Sequence, residues 1–185
     1  MTGICEFAKH LDKQQEVREN ITALKEAGAQ VIIVNFHWGT EKKYVPNGTQ
    51  KTLAHLAIDE GADLAIGHHS HVFQGIERYK GKCIAYSLGN FSFGGNSNPS
   101  DKDIMIFQQT FTVTDGELET NDDINVIPCT ISSASEYNDY CPIPLEGSEK
   151  ERVLEKLIEY SADITDIIHK TLSSSEASRY RIPRT

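Results

Sequence analysis

The chain has 185 residues, 38% of them hydrophobic, and a net charge of −9 from 27 acidic and 18 basic side chains. That length holds one domain with a real core, and the acidic balance excludes a basic nucleic-acid-binding surface. A phosphorylated small substrate stays open, because a bound cation would dominate the local charge.

No apolar run reaches membrane-spanning length and the amino terminus lacks a signal-peptide pattern, so these residues on their own predict a soluble, cytoplasmic protein. Cys5, Cys83, Cys129 and Cys141 contain no Cys-x-x-Cys pair and are too few for a disulfide framework. Cys83 reads as a small buried residue, and Cys129 and Cys141 are close enough to bridge an irregular loop.

In chain order, Asp12 to Ala27 reads as an amphipathic helix, with Val17, Ile21 and Leu24 at helical spacing and Gly28 as its stop. The run Val31-Ile32-Ile33-Val34-Asn35-Phe36-His37 follows, apolar and β-branched enough for a parallel strand covered on both faces. A helix over Gln50 to Glu60 presents Leu53, Leu56 and Ala57 on one side and ends at Gly61. Leu64-Ala65-Ile66 then leads into Gly67-His68-His69-Ser70-His71. A strand–helix–strand crossover joins parallel strands, so His37 and the histidine cluster are expected at one edge of the sheet.

Hairpins are expected at Phe73–Tyr79 with Cys83–Leu88, turning at Lys80-Gly81-Lys82, and at Ile104–Val113 with Leu118–Ile127, turning at Asp115-Gly116. Between them lies a loop rich in Gly, Asn, Ser and Pro. Ser148 to Leu172 is helical in pattern, with a capping-box signature at Ser148 and Glu151. Its apolar face of Val153, Leu154, Leu157, Ile158, Ile164, Ile167 and Ile168 reads as core. His169 has no assigned role, and the serine-rich tail is expected to be mobile.

Chemistry concentrates in the histidines, three of the chain's seven lying within residues 68–71. Neutral imidazole suits zinc, iron and nickel. In extended backbone His69 and His71 would project to the same side, as a pincer. His37, from the neighbouring strand, is the expected third metal ligand.

Three motifs in order carry a resemblance: His37-Trp38-Gly39 with Glu41 and Tyr44; Gly61-Ala62-Asp63 with Gly67-His68-His69-Ser70-His71-Val72; and Ala85-Tyr86-Ser87-Leu88-Gly89-Asn90-Phe91. Over about residues 12–95 they resemble the bacterial capsule-synthesis proteins of the CapA type. These are linked to poly-γ-glutamate capsule production and related to calcineurin-like metallophosphoesterases. The resemblance implies an α/β fold: the carboxy-terminal part of a calcineurin-like metallophosphoesterase sandwich, with mixed sheets and flanking helices. Residues 1–147 would form the partial domain, 148–172 a helix packed on it and 173–185 the tail.

It further implies His37, His69 and His71 as ligands of a divalent transition metal (manganese, iron or zinc), two ions being held in a complete family member. His68 would protonate a leaving group, Asn90 would bond a metal-bound oxygen, and Glu41 and Trp38 would line the pocket entrance. The Asp-x-His, second aspartate and Asn-His elements of the superfamily have no counterpart before His37, and His10 and Asp12 do not replace them. The chain is therefore expected to need an N-terminal half, or another polypeptide, for a dinuclear centre. A mononuclear site would need a carboxylate at the same rim, and Glu41 is the candidate.

Two functions follow from the resemblance: hydrolysis of a phosphate ester by metal-activated water, or a non-catalytic module for capsule assembly or polymer binding. Expected partners are an acidic polymer or a phosphorylated small substrate, together with capsule-assembly proteins. The resemblance places such proteins outside the cytoplasm on a membrane anchor, whereas this sequence shows no such segment.

Overall fold

The computed structural model describes residues 2–7, 13–119 and 124–161, the first stretch by its backbone alone. His10, Asp12, Ile164, Ile167, Ile168, His169 and the tail at 173–185 lie outside the described residues.

The expected α/β crossover forms as read. Strand β1 (Thr2–Phe7) is followed by helix α1 (Gln14–Glu26), strand β2 (Ile33–His37), helix α2 (Gly48–Asp59) and strand β3 (Leu64–His68). A hairpin of β4 (Ile76–Tyr79) and β5 (Lys82–Ala85) completes a five-stranded sheet of order β1-β2-β3-β5-β4. All of its pairings are parallel except β4 with β5. Lys80 and Gly81 both have positive φ (49° and 79°), as a tight hairpin turn requires.

Residues of alternate parity feed two cores, which is why β2 and β3 lack a polar face. Val34, Phe36, Trp38, Ala65, Ile84 and Tyr86 pack beneath α1 and α2 with Val17, Ile21, Leu53, Ala54 and Ala57. On the other face, Leu64, Cys83 and Ala85 meet a second sheet and helix α3 (Gly147–Ser161) through Met105, Val126, Val153, Leu154 and Leu157. The second sheet is antiparallel, with β6 (Asp103–Gln109) paired along its length to β9 (Ile124–Thr130) and β10 (Ile143–Pro144) on the far edge of β9.

Between β6 and β9, the short hairpin β7 (Val113–Thr114) and β8 (Glu117–Leu118) turns at Asp115-Gly116, where the sequence placed it. Helix α3 begins at Gly147, so Ser148 lies inside the first turn and does not cap it, contrary to the expected capping box. Cys129 is a buried free thiol on β9 and Cys141 an exposed one, so the bridge left open by their spacing is not formed.

The short Gly- and Asp-bearing motifs have structural work in this fold. Gly61 ends α2 at φ 106°, and Asp63 ties two strand starts together by accepting from the Ile32 amide at 2.9 Å and from Lys82 Nζ at 2.8 Å. Gly67 has ordinary backbone, but a Cβ there would lie 2.0 Å from the Tyr86 carbonyl oxygen and 2.2 Å from Trp38 Nε1. The Trp38 indole donates to that carbonyl at 2.9 Å, passing directly over the glycine.

Helix α3 is fastened by charge as well as by its apolar face. Buried Asp103 accepts from Arg152 Nη1 and Nη2, both at 2.7 Å, and from Lys156 Nζ at 2.5 Å. Burial pushes the Asp103 carboxyl up, but the bonds from Arg152 and Lys156 outweigh it and hold it below its ordinary value of 3.8.

Two outcomes are expected. Gly67→Ala should destabilise the fold by about 3 kcal/mol in urea unfolding, through overpacking and loss of the indole bond, whereas Gly94→Ala, with open space around it, should not. Because the Asp103 value is depressed on folding, its contribution is present above the unfolded value and is lost as pH falls through the folded one. Asp103→Asn should cost about 2 kcal/mol near neutral pH and weaken the loss of stability on acidification below about pH 4.

Candidate metal centre

Parallel pairing of β2 with β3 sets His37 directly opposite His68, so both strands deliver a histidine to the same rim, as expected. From that point the backbone departs from the sequence reading. β3 stops at His68, and His69 and His71 adopt positive φ, 98° and 58°. The two imidazoles are therefore brought together by a left-handed turn and not by strand alternation. Such backbone is unfavourable for residues with a side chain and, where it recurs, is concentrated at functional sites.

The turn gathers the rings. His69 lies 4.7 Å from His37 and 5.9 Å from His71, measured between ring centroids. Exposed Glu41 comes in from the loop after β2, held by its neighbour: the Lys42 amide donates to the Ser70 carbonyl at 2.8 Å. The donor atoms of Glu41, His69 and His71 all lie within 4.8 Å of one another. Among the described residues this is the one group of three or more such side chains that converges so. Two histidines and a carboxylate form a donor set used for zinc and for non-haem iron. The donor types and their convergence fit a divalent cation.

Asn90 has a different task from the one expected. Its Nδ2 donates to the His71 carbonyl at 3.2 Å, which turns Oδ1 toward the His71 ring 2.7 Å from Nδ1. An amide oxygen only accepts, so His71 carries its proton on Nδ1 and presents Nε2 as the lone-pair donor. Asn90 thus orients the His71 ring, with both its amide groups engaged on that residue.

Trp38 is also corrected. It is fully buried, stacked on Phe36 at 4.1 Å, and its hydrogen bond to Tyr86 removes it from any pocket entrance. His68 is half-buried on β3, and burial, followed by the charge of neighbouring His37, lowers its affinity for a proton. At neutral pH it is a neutral imidazole, better suited to hydrogen bonding than to donating a proton as a cation.

A cavity of about 370 Å³ opens beside the cluster, lined by Gly39, Thr40, Glu41, Asn47 and His69. Phe93, 41% exposed, lies with its ring 4.7 Å from that of His71. Thr40, Asn47 and Phe93 were not legible as site residues. They sit in loops whose course follows from packing and from the left-handed turn, not from any periodicity.

The segment is 46% identical over 69 residues to the capsule biosynthesis protein CapA of Bacillus anthracis, covering 37% of this chain and 17% of that protein. It is 49% identical over 65 residues to the PGA biosynthesis protein CapA of Bacillus subtilis, covering 35% and 17%. A longer match, 29% identical over 126 residues, joins 65% of this chain to 32% of a protein of Mycobacterium tuberculosis named "Probable polyglutamine synthesis accessory protein". The chain thus matches less than a fifth of the length of either CapA protein. The motifs that build the rim lie inside the stretch, residues 4–95, that matches the family profile, and over that stretch the chain belongs to the PGA_cap family of bacterial capsule synthesis proteins.

Proposed function

We propose that this chain serves capsule polymer synthesis as a metal-dependent hydrolase of a phosphate ester. The observation that carries the reading is the convergence of Glu41, His69 and His71 at the rim where β2 and β3 end. The names of its relatives, in capsule biosynthesis and polyglutamine synthesis, supply the setting, in which a phosphorylated small substrate or an acidic polymer would be the partner. A divalent ion held by these residues would supply Lewis-acid polarisation and an acidified water.

The chain's own side chains do the rest. Glu41 and the His69 and His71 imidazoles would hold the ion. Asn90 holds the His71 tautomer that leaves Nε2 able to ligate. His37, with its ring 4.7 Å from that of His69, would be a further nitrogen donor at the same rim. The Thr40 hydroxyl and the Asn47 amide line the cavity that would receive the polar part of a substrate. Among the described residues no helix is long and apolar enough to cross a membrane.

Purified protein should contain close to one transition metal per chain by mass spectrometry, and His69→Ala with His71→Ala should remove it. Hydrolysis of an aryl phosphate with added manganese should fall with the metal. Metal bound without turnover would instead support a non-catalytic assembly module, and metal content equal to that of the double variant would sink the centre altogether. Asn90→Leu should weaken metal binding about tenfold while leaving the fold intact, the scale expected when a ligand loses its orienting partner.

A further inference from the structure

Two glutamines are buried where this fold otherwise places apolar side chains. Gln50 is 1% exposed and Gln74 fully buried. On α2, Gln50 shares a face with buried Leu53, Ala54 and Ala57. Gln74 interrupts the buried run Val72-Phe73-Gln74-Gly75-Ile76. Burying a primary amide is unfavourable unless its groups are bonded, so the partners reveal what the pair does.

Those partners form one directed chain. The Asn47 amide donates to Gln50 Oε1 at 3.0 Å, which leaves Gln50 Nε2 to donate to Gln74 Oε1 at 2.8 Å. Gln74 Nε2 then donates to the Lys43 carbonyl at 2.8 Å. Gln74 itself is fixed from behind, its backbone amide donating to the Ser87 carbonyl at 3.0 Å.

Every terminus of this relay grips the loop that carries Glu41. Gly39, at φ 86°, rests against the Gln50 carboxamide, where a Cβ would meet Cδ and Oε1 at 2.9 Å. Lys43 and Asn47 are the bonded ends. Tyr44 adds an outer anchor, donating to Asp101 Oδ2 at 2.8 Å. Glu41 is exposed and lies between the Gln50-packed glycine and the Gln74-bonded carbonyl. The histidine turn ends only three residues before Gln74. One side chain therefore couples the carboxylate loop to the segment that bears the two imidazoles.

We infer that Gln74, backed by Gln50, is a positioning residue that sets Glu41 against His69 and His71 for cation binding. The inference rests on the metal reading above, and it adds a residue outside the cluster through which that site is tuned. Gln74→Leu removes the donor to the Lys43 carbonyl and strands the Gln50 amide. The Glu41 loop is then tied to the histidine turn only by the Lys42 amide on the Ser70 carbonyl, which leaves the carboxylate less firmly placed.

The test is a Co2+ titration of the full chain, followed by its visible absorption, which reports both affinity and coordination. Gln74→Leu should bind Co2+ about tenfold more weakly and change the visible band. The same substitution in a Glu41→Ala background should change affinity by less than about twofold, because its effect travels through Glu41. Gln74→Met, unbranched and close in volume, gives a second variant if Gln74→Leu does not fold, and thermal melts monitor folding throughout. Equal losses in both backgrounds would overturn the inference alone. Failure of the wild-type chain to bind Co2+ through His69 and His71 would overturn the metal reading, and the inference with it.

Discussion

The hydrogen bond from the Trp38 indole to the Tyr86 carbonyl, drawn across Gly67, is the constraint on which the site depends. It joins the ends of β2 and β5 over the end of β3, just where the chain leaves the sheet to make its histidines. A bulky, fully buried indole fills the helix-side core, while its single polar atom closes a gap that only glycine leaves open. Burial of the indole supplies the driving force, and the bond supplies the register. Both are needed for His37 and His68 to stand side by side and for the left-handed turn to start at a fixed place.

From there the site is assembled by backbone more than by side-chain packing. The Lys42 amide on the Ser70 carbonyl brings the carboxylate loop to the histidine turn. Asn90 reaches back from the end of the β5 segment to hold His71. Each contact spans two elements that the parallel crossover has already placed at one edge, so modest hydrogen bonds suffice to finish the arrangement. The far side of the molecule is organised differently. There Asp103 gathers Arg152 and Lys156, binding α3 to the second sheet by concentrated charge.

What the sequence allowed one to read follows from how local each signal is. Val34, Phe36 and Ala65 announce strands by composition, and Gly28 and Gly61 announce helix ends by conformation, so the crossover and its shared rim were legible. So were the hairpin turns at Lys80-Gly81 and Asp115-Gly116, whose positive φ values suit their residues. The capping box Asn47-x-x-Gln50 was equally local, though it was not recognised. The curl of His69 and His71 was not legible, because histidine takes left-handed backbone only in a small minority of cases, and tertiary contacts impose it here. Trp38 was misplaced for a related reason. Beside a histidine at a strand end it reads as a pocket residue, and only the pairing of three strands turns it into the core. The buried amides Gln50 and Gln74 carried a faint mark, as polar residues on apolar faces, but their partners lie in other elements.

The positive φ values at His69 and His71 bear on how this stretch can drift. Glycine at either position would relax the backbone, so the native residues work against local stability by roughly 1 kcal/mol each. Under selection for folding alone, both codons would be under steady pressure toward glycine, and random substitution would erase the imidazoles while leaving a sounder turn. Retaining them makes this loop a place where loss of chemistry and gain in thermal resistance coincide. A screen for hardier variants of this protein would therefore tend to lose these histidines first.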